Sequence, residues 1–152
     1  MVAMPQEDLE RIIHKIGFFR RKATILKQVS QQLLDDYRGH VPTTERELLA
    51  LKGVGRKTTN LVLSEAFDKP AICVDVHVHR LANLFGLVHT TTPEQTEVAL
   101  QKLFPRKQWS NINRLFVMLG QNSCSPTSKK CSFCLFFGHG NNHLHLGVKS
   151  TQ

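Results

Sequence analysis

No apolar run in this sequence approaches the roughly 20 residues that a membrane-spanning helix needs, so no membrane partner is expected. The opening residues, Met1 to Asp8, carry neither a basic flank nor an apolar segment, and a secretory signal is not expected. Acidic residues are scarce: twelve Asp and Glu stand against twenty Lys and Arg, a formal net charge of +8. A basic domain of this size suits a polyanion, and phosphate contacts would make its affinity depend on salt. Charge alone does not separate DNA from RNA or a membrane surface. The four cysteines make no convincing disulfide framework. Cys73, in the run Ala71-Ile72-Cys73-Val74, reads as a small buried apolar residue. The other three fall within the short span Cys124 to Cys134, which in an intracellular protein reads as metal ligation. Strand alternation and internal repeats are both absent. What remains is an all-α fold class, and 152 residues set one domain as the expectation.

Helical signals fill most of the chain. Leu9, Ile12, Ile13 and Ile16 recur at helical spacing and predict a helix over 6–16. A second is predicted over 20–37, with Ile25, Leu26, Val29 and Leu33 on one face and Gly39 as its stop. Thr44 with Glu47 forms a capping box for a short helix over 45–51. The next, over 56–67, has Val62, Leu63 and Ala66 as expected core positions. A buried extended stretch, 71–74, leads to a helix over 76–85 closed by Gly86. Thr92-Pro93-Glu94-Gln95 starts another that stops before Pro105, and a last one spans 108–121 and carries Trp109, Ile112, Leu115, Phe116 and Leu119. After Cys134 no helical period is visible, and an irregular tail over 135–152 is expected.

The chemistry centres on Leu51-Lys52-Gly53-Val54-Gly55-Arg56-Lys57. Two glycines two apart permit a tight turn between helices and close approach of another backbone. Amides at the start of the following helix, aided by its dipole, would then meet an anion. Leu51, Gly53, Val54, Gly55, Arg56 and Lys57 are thus the candidates for holding a phosphate of a nucleic-acid backbone. A short GxG alone would be only a helix–turn–helix connection. Here Val74-Asp75-Val76-His77-Val78-His79-Arg80 follows, with Asp75 placed to cap a helix. His77 and His79 are two apart and face different ways, so they are not a metal pair.

Together with Cys124, Cys131 and Cys134, these motifs resemble the endonuclease III branch of the helix–hairpin–helix DNA glycosylases, from about Pro5 to Cys134. The resemblance implies that Lys57 is the nucleophile that attacks the sugar C1′ of a damaged nucleotide, expels the base and forms a Schiff base, with elimination then nicking the strand on the 3′ side. An amine attacks carbon only when unprotonated. The start of a helix, the neighbouring cation Arg56 and desolvation between stacked helices would each favour that form. It implies a second role for Asp75, stabilising positive charge on the sugar, and a place for His77 near the site. Cys124-x6-Cys131-x2-Cys134 matches three of the family's four ligands to a 4Fe–4S cluster, and Gly140 stands where the fourth would be. His139, His143 or His145 would instead complete a Cys3His site, which suits zinc as well as iron.

The resemblance also implies that residues preceding this chain's start in the family, including barrel helices and a loop that wedges into the duplex, lie outside it. The expectation is an incomplete glycosylase domain over 1–134. Its expected partner is double-stranded DNA with a damaged base or abasic site, bound by a monomer inside the cell, in the cytoplasm or nucleoid, or in a nucleus or organelle. The leading function is excision of oxidised pyrimidines with strand cleavage by the lysine. The alternatives are a catalytically impaired DNA-binding fragment and a chain too incomplete to fold.

Overall fold

Proline has no N–H to give and its fixed φ suits the position before a helix. Helix α1, Gln6–Ile13, begins directly after Pro5, with Glu7 and Asp8 in its first turn and Arg11 in its last, as the helix dipole favours. It belongs to a computed structural model that describes residues 1–126. Leu9 is buried, but Ile12 and Ile16 are 66% and 47% exposed. The predicted helix to Ile16 therefore ends early, at a turn closed by Ile16 N–H to Ile13 O at 2.9 Å. Periodicity records which residues share a face, not how far the covering surface extends.

Helix α2, Phe19–Tyr37, packs against α1. Lys27 Nζ donates to Met4 O at 2.7 Å and helps fix the N-terminal segment to it. Its stop comes one residue before the predicted glycine: Arg38 takes the left-handed conformation, and Gly39 N–H then reaches Leu33 O at 2.8 Å. Helix α3, Glu45–Ala50, is capped as predicted, Glu47 N–H donating to Thr44 Oγ1 at 3.3 Å. The Glu47 carboxylate in turn accepts from the Thr44 hydroxyl at 2.5 Å. Such a cap stabilises by about 1 kcal/mol.

Helix α4, Arg56–Phe67, has the predicted bounds. The chain divides inside it into two compact units, Met1–Leu63 and the residues from Ser64 on. Its buried residues are Thr59, Asn60, Leu63 and Ser64. Of the expected core positions only Leu63 is fully buried; Val62 is half-buried and Ala66 exposed. Hydropathy missed this face because small polar side chains form most of it.

In the second unit, residues 71–74 are buried, as predicted, and lie outside any helix. Helix α5, Val76–Leu84, follows its Asp75 cap; α6, Pro93–Leu103, follows its Thr92 cap; a 3-10 turn, Arg106–Gln108, leads into α7, Trp109–Asn122. Helix α5 packs against both α6 and α7. Ile72, Val74, Val78, Ala82, Val88, Leu100 and Ile112 form the core, with Phe104, Trp109 and Phe116 against it. Each fully buried large apolar side chain contributes roughly 1.5–3 kcal/mol. Leu115 of α7 is 52% exposed. No strand occurs among the described residues. The expected boundary at 134 and the tail 135–152 lie outside them.

Candidate active site

The hairpin between α3 and α4 is closed by three backbone bonds: Leu51 N–H to Leu48 O at 3.2 Å, Val54 N–H to Leu51 O at 3.1 Å, and Thr59 N–H to Gly55 O at 2.9 Å. The Leu51 side chain is buried, so it anchors the turn rather than facing outward. Its two glycines serve different needs. Gly53 has φ of +75°, and a Cβ there would lie 2.7 Å from Ile25 Cγ2 of α2. Gly55 has no such φ, and a Cβ on it would meet open space. Nothing among the described residues requires glycine at 55.

Arg56 and Lys57 are the first two residues of α4, and both are exposed. Side chains on a helix tilt toward its N-terminus, so in the first turn they run past the packed part of the helix. The desolvation expected for Lys57 is therefore not found here. The first amides of a helix have no intrahelical acceptor, and this end presents them beside Lys57.

Asp75, in the second unit, caps α5 as predicted. Its Oδ1 accepts from His77 N–H and Val78 N–H, both at 2.9 Å, leaving Oδ2 outside the cap. The His77 ring lies against Gly120 of α7, where a Cβ would fall 2.6 Å from Nδ1, and that nitrogen is buried without a hydrogen-bond partner. His79 turns elsewhere: its Nδ1 meets Thr96 Oγ1 at 2.6 Å, and Thr96 bonds Thr90 Oγ1 at 2.5 Å. It ties α5 to α6, a role that its spacing could not reveal.

Cys73 is buried, as predicted. Cys124 follows α7 and is half-buried; Arg80 donates to its sulfur at 3.7 Å and to its carbonyl. A donor of this kind is compatible with a thiolate ligand. Cys131, Cys134, Gly140 and the three candidate histidines lie outside the described residues, among which no group of three His, Cys, Asp or Glu could hold a metal.

One residue escaped the sequence reading. Phe18 is 86% exposed and left-handed at φ 57°, immediately before α2 and its run Arg20-Arg21-Lys22. The available signal was two aromatics directly after Gly17, ahead of three cations.

The family model for HhH-GPD superfamily base excision DNA repair proteins matches residues 1–106. Endonuclease III of Thermotoga maritima is 46% identical over 133 residues, covering 88% of this chain and 62% of that protein. The chloroplastic endonuclease III homolog 2 of Arabidopsis thaliana is 42% identical, covering 85% of this chain and 36% of its own. The chain thus spans less than two thirds of the length of these relatives. Among solved structures, a trapped covalent endonuclease III–DNA intermediate superposes with a TM-score of 0.83 at 38% identity, over 89% of this chain and 64% of that one. A non-covalent endonuclease III–DNA complex gives 0.84 at 37%, over 90% and 64%.

Proposed function

The chain belongs to the HhH-GPD superfamily of base excision DNA repair proteins, and from that membership we propose that it is a DNA glycosylase and abasic-site lyase acting on oxidised pyrimidines in duplex DNA. The hairpin and the first amides of α4 receive a backbone phosphate, aided by Arg56 and the helix dipole. The observation that carries this is Gly55: its missing Cβ is unexplained by packing among the described residues and leaves room for a second backbone.

Lys57 is the nucleophile. Its unprotonated Nζ attacks C1′, the C1′–base bond breaks, and the base leaves with its electron pair and takes up a proton. The sugar ring opens to a Schiff base between Nζ and C1′. Loss of a C2′ proton then expels the 3′ phosphate, and water releases the lysine. Asp75 uses its Oδ2 to stabilise positive charge developing on the sugar, while Oδ1 keeps the cap. Support comes from the match of both residues to the family's motif and from a relative whose covalent DNA intermediate was trapped.

Flipping a nucleotide leaves a gap that an apolar side chain can fill. Phe18, exposed and shortly ahead of Arg20-Arg21-Lys22, is assigned that part. Cys124, Cys131 and Cys134, completed by His139, His143 or His145, are assigned a metal group, a 4Fe–4S cluster or zinc. Iron and zinc analysis of purified protein decides between them.

The test is cleavage of a 5′-labelled duplex with one abasic site. The reading predicts a product ending in a 3′ unsaturated aldehyde, with Phe18→Ala impaired in base removal more than in this cleavage. Binding without cleavage would instead establish a DNA-binding module.

A further inference from the structure

We infer that Gln32 of α2 is a positioning residue that sets the hairpin for its phosphate, an inference resting on the DNA-binding reading above. The last carbonyls of a helix have no intrahelical donor, and Ala50 O ends α3. Gln32 Nε2 donates to it at 3.3 Å, while Gln32 Oε1 accepts Lys52 N–H at 3.0 Å. One carboxamide therefore brackets Leu51, the buried anchor of the turn, from both sides. Only a side chain with a donor and an acceptor on one rigid group can do this. The partners also fix its orientation, since Lys52 N–H only donates and Ala50 O only accepts.

Ile25 stands seven residues earlier, on the same face of α2, and is the side chain that a Cβ on Gly53 would strike. Helix α2 thus grips the hairpin twice: apolar contact beneath Gly53 and hydrogen bonds around Leu51. Two consequences follow for the site. Lys52 N–H is committed to Gln32 and is withdrawn from the amides that can meet DNA. The turn's shape is also set before DNA arrives, so its ordering cost does not weaken binding. Gln31, the neighbour, bonds Asp35 of its own helix at 2.7 Å and serves as the control.

The experiment compares the full chain with Gln32→Met and Gln31→Met in three readouts. These are hydrogen exchange at the Lys52 amide, affinity for a duplex with an uncleavable abasic analogue, and single-turnover cleavage at saturating abasic DNA. Gln32→Met is expected to speed exchange at Lys52 and weaken affinity about 10-fold, as loss of two modest hydrogen bonds implies. Cleavage at saturation should stay within about 2-fold, since the reacting groups are untouched. Gln31→Met should match the wild type. Unchanged affinity in Gln32→Met overturns the role. So does a fall in saturating rate that tracks a loss of folded protein at constant affinity, the mark of a purely structural residue. Wild type that binds no duplex overturns the parent reading and this role with it, whereas unaltered exchange at Lys52 in Gln32→Met removes the bracket alone.

Discussion

A methyl group placed on Gly53 and one placed on Gly55 would have different fates. On Gly53 it would force a non-glycine residue into the left-handed region, at roughly 1–2 kcal/mol, and press on Ile25 of α2, at roughly 1–3 kcal/mol more. On Gly55 it would meet nothing among the described residues. Gly53→Ala is therefore expected to lower the thermal midpoint clearly. Gly55→Ala should melt within a few degrees of wild type and bind duplex at least about 10-fold more weakly, about 1.4 kcal/mol. Equal melting with unchanged binding in Gly55→Ala would remove the phosphate from that turn. Asp75 separates in the same way. Asn is as good an N-cap as Asp, whereas Ala loses about 1 kcal/mol. Asp75→Asn should keep stability and lose most lyase activity, and Asp75→Ala should lose both. Retained activity in a stable Asp75→Asn would reduce Asp75 to a cap.

Elements that start on a side-chain cap were readable from sequence, because the signal is local: Thr44 for α3, Asp75 for α5 and Thr92 for α6 each bind the amides expected of them. Where the outcome depended on a distant surface, the reading failed. The α1 stripe lost its last turn because nothing among the described residues covers Ile12 or Ile16. Helix α4 buries Thr59, Asn60 and Ser64, which hydropathy discounts. The α5–α6 joint was also hidden, since neither His79 nor Thr96 carries a local pattern that names the other. Thr96 is fully buried and bonds His79, Thr90 and the Thr92 carbonyl. Thr96→Val keeps the volume but leaves those partners unsatisfied, and chemical denaturation should show a loss of about 1–3 kcal/mol. A neutral result would mean that water replaces the hydroxyl without cost.

Across the whole molecule, the excess of positive charge matches the proposed polyanionic partner. No helix of the described residues is long and apolar enough to cross a membrane. The sequence motifs pointed to the hairpin, to Lys57 and to Asp75, but these stand in separate units, Lys57 before and Asp75 after the division within α4. Motif spacing therefore named candidate residues without describing their surroundings. The exposure of Phe18 and the Gln32 bracket became visible only with coordinates.

Borohydride reduction of the protein mixed with a duplex carrying one abasic site addresses the central claim directly, because it converts a Schiff base to a stable amine. The account predicts a covalent protein–DNA adduct whose modified peptide maps to Lys57 and which Lys57→Ala does not form. An adduct that persists in Lys57→Ala, or none from wild-type protein that is folded and binds the duplex, would contradict it.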